Sequence, residues 1–255
     1  MENSSLNLIH RHSSVRNYKP DPLPAHVIET IISAVQCAST SSNLQAYSIV
    51  AVTDLVKRTR LSKLCGNQAH IQEAPVFLAW CADLARLERV CKLRGYTQVT
   101  EYTENFLIAA IDVSIAAQNA ALAAESLGLG VCYIGSIRNK PAEVIDLLGL
   151  PRLTFPLIGM TIGWCDKKSD IKPRLPLQSV LHWESYTNVA EDKNLRSYDA
   201  TMIATGIYSG RQVPVPGKLE EMEDYGWTEH SARRVSLTAR TEIRAILEKQ
   251  GFTLK

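Results

Sequence analysis

The stretch at residues 106–135, FLIAAIDVSIAAQNAALAAESLGLGVCYIG, decides how the chain folds. Its first part is apolar and long enough to cross a bilayer. Asp112, Ser114, Gln118, Asn119, Glu125 and Ser126 interrupt it, so it reads as a buried helix of a soluble domain rather than a span. Gly128 and Gly130 stop that helix, and Val131-Cys132-Tyr133-Ile134 follows as a strand ending at Gly135. The same alternation extends outward on both sides. Upstream, Val27, Ile28, Ile31, Ile32 and Val35 share one face of a helix over 25–36, with Pro24 supplying a preset φ just before it. A short strand is expected at 48–52, a helix from Asp54 to about 64, a second buried strand at 75–80 and a charged helix at 83–94. Downstream come a helix at 141–148 and a fourth strand at 157–164. Helices and strands that alternate this regularly imply a layered αβ domain.

Composition agrees with a globular core and excludes several classes. The chain has 255 residues, 45% hydrophobic and 21% charged, which argues against disordered, collagen-like and coiled-coil chains. Surface scaling gives about 11,000 Å² folded against about 41,000 Å² unfolded, so roughly 73% of the surface is expected to be buried. The 28 basic and 26 acidic side chains leave a net charge of +2, too little for a surface that tracks phosphates, so no nucleic-acid partner is expected. The N-terminal residues lack the basic and apolar blocks of a signal peptide, and the expected location is the cytoplasm, with no membrane partner. The six cysteines form no C-x-x-C pair and read as reduced, packed thiols.

Composition changes after about Tyr186. Residues 187–225 have few apolar runs, two turns marked by Pro214 and Pro216, and the acidic residues Glu220, Glu221, Glu223 and Asp224, whereas 231–250 is helix-like again. The expectation is a core over 1–190 and an extension over 191–255. Such an extension would have no core of its own and would wrap over the main body or a second subunit.

Familiar motifs are mostly absent. Gly128-Leu129-Gly130 lacks the third glycine of a dinucleotide fingerprint, since Tyr133 stands there, and it follows a helix instead of a strand. The P-loop, zincin and nucleophile-elbow patterns do not occur. His10 and His12 have no Cys or His ligand set at a metal site's spacing, so no metal is expected.

Two basic segments remain. In an extended His12-Ser13-Ser14-Val15-Arg16, alternate side chains project together, so His12, Ser14 and Arg16 form an anion cradle. Lys172-Pro173-Arg174-Leu175-Pro176 places two cations at i and i+2 on a backbone that proline restricts twice, a clamp for phosphate. Read locally, the favoured alternative is that both segments are ordinary basic surface.

Their combination resembles the flavin-dependent nitroreductase and flavin reductase family, in its larger, NADPH-preferring bacterial branch. The resembling blocks are His12-x-Ser14-Val15-Arg16, Ala38-Ser39-Thr40-Ser41-Ser42-Asn43-Leu44-Gln45, Gly66-Asn67-Gln68, Ala117-Gln118-Asn119, Ala123 to Gly130, Tyr133 to Asn139 and Lys172 to Pro176. They occur in family order over roughly residues 5 to 190.

The resemblance implies an α+β, three-layer nitroreductase-like fold with a mixed central sheet flanked by helices, built as an intertwined homodimer. It implies FMN as cofactor and NADPH as electron donor. His12, Ser14, Lys172 and Arg174 then look like ligands of the FMN phosphate and ribityl chain, with Ser13 beside them. Arg16 resembles the cation beside N1 and O2 of the ring. Ser41 and Gln68 match positions near the ring, and Tyr133, Ile134, Gly135 and Ser136 match the strand end that lines it, with the Gly135 amide near N5. Ser42, Asn43, Arg211 and Arg240 are the candidates for NADPH or substrate, and Trp227 aligns with a residue near the pocket. Two departures stand out: Ser13 where relatives often carry arginine, and Ser136 where they carry a second glycine, which puts a side chain near the ring.

The chemistry implied is a ping-pong exchange in which NADPH gives hydride to FMN and a nitroaromatic, quinone or related small molecule then takes two electrons. No catalytic protein side chain is needed. The alternatives are a flavin reductase that supplies free reduced FMN to a partner, and a non-enzymatic flavin- or phosphate-binding module.

Overall fold

A computed structural model describes residues 4–167 and 169–255. The chain divides into two compact units, one made of residues 1–170 with 240–255 and the other of residues 171–239.

The first unit is organised by a four-stranded sheet of β1 (Tyr47–Val52), β2 (Val76–Asp83), β3 (Leu129–Ile134) and β4 (Thr154–Trp164), in the order β1-β2-β4-β3. Every pair is antiparallel. This corrects the expected mixed sheet: among the described strands no parallel pair occurs. The eight residues of β2 are all buried, as a central strand covered on both faces requires.

Side chains alternate along a strand, so each face meets a different set of helices. On one face Val76, Leu78 and Trp80 of β2 join Val131 of β3 and Met160 and Ile162 of β4. They pack against α2 (Ala25–Val35) through Ile31 and Val35, and against α6 (Thr103–Ser126) through Val113, Ala116, Ala117, Ala120, Ala121 and Ala124. On the other face Phe77, Ala79 and Cys81 meet Leu61 of α3 (Leu55–Leu64), Ile71 of α4 (Ala69–Glu73) and Val144 of α7 (Pro141–Leu148). The result is the expected helix–sheet–helix layering.

The alanine-rich side of α6 lets its backbone lie close to the sheet. Helix α6 is long and apolar enough to cross a membrane by length and composition, but one side of it, from Ala109 to Ala124, is buried against the sheet. Complete burial of a side chain as large as Trp80 contributes up to about 3 kcal/mol.

A third cluster lies at one end of the unit. Phe106 of α6 meets Phe155 and Phe252 edge-on, at centroid distances of 6.2 and 5.5 Å, and Leu247 of α10 (Ile243–Lys249) joins them. The last sixteen residues therefore belong to the first unit, and the composition break near Tyr186 does not coincide with the boundary between units. Helices α1 (Ser4–His10) and α5 (Ala85–Leu93) complete this unit. All six cysteines are free, with Cys65, Cys81 and Cys132 buried; burial pushes the Cys65 and Cys81 thiols up to about 12.

The second unit holds α8 (Glu191–Ala204), the antiparallel hairpin β5 (Gln212–Val215) and β6 (Lys218–Asp224), and α9 (Trp227–Ser236). It has a small core, which corrects the expectation of none: Tyr198, Met202 and Val213 are buried, and Tyr198 meets Trp227 edge-on at 5.1 Å. Helix α8 is polar overall and starts with Glu191 and Asp192, which suit the positive end of the helix dipole; its only buried contacts are Tyr198 and Met202, one turn apart. The expected helix over 231–250 is two helices, α9 and α10, separated around Arg240 at φ 56°.

Candidate functional site

The candidate cradle takes its shape from the sheet it lies on. Val15 N–H donates to Val131 O at 2.8 Å, Lys19 N–H donates to Trp164 O at 2.9 Å, and Tyr18 bridges to Cys165. Val15 is buried and faces Gly130 of β3, where a β-carbon would stand 2.7 Å from the valine side chain. Glycine at this position is what allows the segment to approach. With Val15 turned inward, its neighbours Ser14 and Arg16 turn toward solvent. Tyr18 locks the far end by donating to Val15 O at 2.8 Å and pairing with Thr161 Oγ1 at 2.7 Å; its buried phenol is pushed well above its ordinary pKa. Among the described residues, the Ser13 and Ser14 hydroxyls and the Arg16 guanidinium make no hydrogen bond or ion pair. His12 differs, because its Nδ1 lies 2.6 Å from Glu125 Oε1 of α6. A carboxylate only accepts, so Nδ1 carries the proton and the ring is oriented by α6.

The serine-rich segment is a strained loop. Ser42, Asn43 and Gln45 have φ of 48°, 58° and 51°, a region that non-glycine residues enter at a cost. The loop is held from inside by Asp112, fully buried in the middle of α6, which accepts from Ser41 N–H at 2.9 Å and from Ala46 N–H at 3.0 Å. From outside, Arg86 of α5 donates to Gln45 O at 2.9 Å and to Tyr47 O at 3.2 Å.

Gln68 stands at the start of α4 after Gly66 and Asn67, both at positive φ (84° and 56°). Its backbone oxygen accepts from Ser62 Oγ at 2.8 Å, and its side-chain Nε2 donates to Cys65 O at 2.8 Å and to Ser136 Oγ at 2.5 Å. Ser136 lies in the turn Gly135–Asn139 directly after β3. The hydroxyl of Ser136, a side chain expected near the ring, faces Gln68. Tyr133 donates to Gln118 Oε1 at 3.3 Å, and burial, aided by Glu125, pushes its phenol pKa up. Arg138 donates to Leu157 O, and burial lowers its pKa, with Arg240 adding to the effect. An open cleft of about 310 Å³ is walled by Ser114, Gln118, Tyr133, Arg138, Leu157 and Ile158. Arg240, expected to contact NADPH or substrate, donates from Nε to Asn139 Oδ1 at 3.0 Å.

The second unit carries the remaining candidates. Arg174 folds back on its own segment, donating to Lys172 O at 2.8 Å, while Tyr198 donates to Pro173 O at 3.0 Å. The clamp backbone is thus braced by α8, and Lys172 is exposed. Arg211 lies 5.7 Å from the centroid of the Tyr225 ring, beside a cavity of about 250 Å³ lined by Ile203, Tyr208, Ser209, Gly210, Asp224 and Tyr225.

Three residues that act on the candidates escaped the sequence reading: Asp112, Glu125 and Ser62. Asp112 reads as an interruption of an apolar run, and Glu125 as that and as a member of a resembling block with no role of its own. A charged residue inside such a run, where burial is costly without partners, was the available signal.

Two family models match the chain, the nitroreductase family over residues 9–164 and the nitroreductase family C-terminal domain over residues 172–255. A Cr(VI) reductase of Pseudomonas sp. is 38% identical over 248 residues, covering 97% of this chain and 98% of that protein. An FMN reductase (NADPH) of Bacillus subtilis is 36% identical over 254 residues, covering 98% of each. Among solved structures, that of B. megaterium NfrA2 superposes with a TM-score of 0.91 at 37% identity, covering 100% of both chains.

Proposed function

The chain belongs to the nitroreductase family, and on that premise we propose that it is an FMN-dependent NADPH oxidoreductase that reduces small oxidised molecules, nitroaromatics and quinones among them. The observation that carries this reading is the pinned cradle in which Ser13, Ser14 and Arg16 have no side-chain partner among the described residues: the segment is held along β3 and β4 by backbone hydrogen bonds, yet presents these donors outward.

The residues fit an anionic, flat cofactor. The cradle offers hydroxyl and guanidinium donors suited to phosphate and to a ring that gains negative charge. Gly135 has an ordinary backbone, and a β-carbon there would meet only Arg138 Nη2 at 3.7 Å, so nothing inside the protein requires glycine; a molecule lying against the strand end would. His70 keeps Nε2 buried without a partner, and burial, reinforced by the Arg16 guanidinium, holds its pKa below the ordinary value.

In this reading His12, Ser13 and Ser14 take the phosphate and ribityl chain, and Lys172 and Arg174 are the anion-binding cations that the second unit carries. Arg16 stabilises negative charge on the ring, Ser41, Gln68 and residues 133–136 border it, and Ser42, Asn43, Arg211 and Arg240 serve NADPH or the acceptor. Bound FMN supplies two-electron redox chemistry between NADPH and the acceptor. The protein's own residues bind, orient and tune charge.

The working form is a homodimer in the cytoplasm. Its support is an exposed apolar stripe on α6, where Leu107, Ile111 and Ile115 are spaced one turn apart and are 47%, 54% and 39% exposed. Sedimentation at micromolar concentration should give twice the chain mass of 28.3 kDa.

The test of the reading is the purified protein itself. It should be yellow, bleach with NADPH under nitrogen and recover colour with a quinone. Free FMN as the second acceptor measures whether the protein also works as a flavin reductase. A colourless protein that takes up no FMN overturns the proposal.

A further inference from the structure

We propose that Ser136 is a positioning residue for the cofactor, acting through Gln68. The inference rests on the FMN reading above and adds a residue-level device to it.

The geometry assigns the Gln68 amide without ambiguity. Cys65 O is a carbonyl and only accepts, so the group that meets it at 2.8 Å must be the side-chain NH₂. The second hydrogen of that NH₂ goes to Ser136 Oγ at 2.5 Å. Both Gln68 donors are therefore spent inside the protein, and the side chain has only its amide oxygen to offer a ligand. The backbone leaves it little freedom, since Gln68 O is held by Ser62 Oγ and the preceding Gly66-Asn67 pair is fixed at positive φ. Removing the serine hydroxyl would free one N–H while leaving the Cys65 bond, so the amide would offer a donor beside its oxygen.

A ligand that meets an obligate acceptor must bring a donor. The isoalloxazine ring of an oxidised flavin carries one ring N–H, at N3, and otherwise presents acceptors. Ser136 thereby selects which edge of the ring faces Gln68. Serine at this place occupies the second N–H of the glutamine, at the cost of one ordered hydroxyl.

A double-mutant cycle on full-length protein tests this, with FMN affinity read by quenching of flavin fluorescence and the visible flavin spectrum recorded alongside. Ser136→Ala should weaken FMN binding about tenfold and shift the spectrum, and Gln68→Ala should weaken it at least as much. The double variant should bind no more weakly than Gln68→Ala alone, because the serine acts only through the glutamine. Ser136→Thr, which keeps the hydroxyl, should restore the affinity lost in Ser136→Ala. Ser136→Gly repeats the cycle should the alanine variant fold poorly. Additive losses, or an unchanged affinity and spectrum in both Ser136→Ala and Ser136→Gly, would overturn the inference while leaving the FMN reading intact. If the unmutated protein takes up no FMN, the FMN reading falls first.

Discussion

In each unit of this chain an aspartate on a helix binds two donors of another segment, Asp112 in the first and Asp199 in the second, but the two work in different surroundings. Asp112 is fully buried in α6 and holds Ser41 N–H and Ala46 N–H at the ends of a strained loop. Asp199 is half-buried in α8 and holds Thr228 N–H and Thr228 Oγ1 at 2.8 and 2.9 Å, at the start of α9. The N-cap of α9 is Gly226, which has no side chain to cap with, and Asp199 does that work from a neighbouring helix. The same number of hydrogen bonds thus anchors a loop in a low-dielectric core and a helix end near water. Burial, rather than bond count, should set what each is worth.

The largest effect is expected from Asp112→Ala, which orphans the buried Ala46 N–H and the part-buried Ser41 N–H and should cost about 3 kcal/mol in a denaturant titration, with Asp112→Asn costing less because one acceptor survives. FMN binding should weaken as the Ser41–Gln45 segment relaxes from its left-handed conformations. Next comes Gly130→Ala, which forces Val15 away from β3. It should cost about 2 kcal/mol and weaken FMN binding, since the cradle hangs on that approach. Asp199→Ala should cost only about 1 kcal/mol, with faster amide exchange confined to α9. Equal losses for Asp112→Ala and Asp199→Ala would refute the contrast between the units.

The smallest effect concerns pH. His70 titrates below its ordinary value of 6.5 in the folded protein because of burial, so under acid conditions the unfolded chain binds a proton that the folded one resists. Its contribution to stability is complete above about pH 6.5 and is lost as pH falls through the folded-state pKa. Stability measured from pH 7.5 downward should therefore decline less steeply in His70→Asn than in the unmutated protein. Identical slopes would remove His70 from this account.

The legibility of the chain follows the same contrast. In the first unit the strands and helices fall close to where hydrophobic period and glycine punctuation put them, because burial on one or both faces writes itself into the residue pattern. The misses there are short or polar pieces such as α1 and α4. In the second unit α8 and the β5–β6 hairpin were not legible: α8 buries only Tyr198 and Met202, and the hairpin reads as proline-marked turns. Few buried positions leave little pattern to read. For the candidate site, the residue types and their order along the chain carried the resemblance, while Asp112, Glu125 and Ser62, which orient the candidates, are visible only as polar residues in unremarkable places.

By itself the sequence determined the family, the layered α+β architecture and the residues that could meet a phosphate and a flat ring, because these depend on periodicity and on side-chain chemistry. Only the tertiary structure decided that the sheet of this chain is antiparallel throughout, that residues 240–255 return to the first unit, and that the Ser136 hydroxyl turns toward Gln68. Those outcomes depend on which distant groups come within hydrogen-bonding distance, and that distance is created by folding.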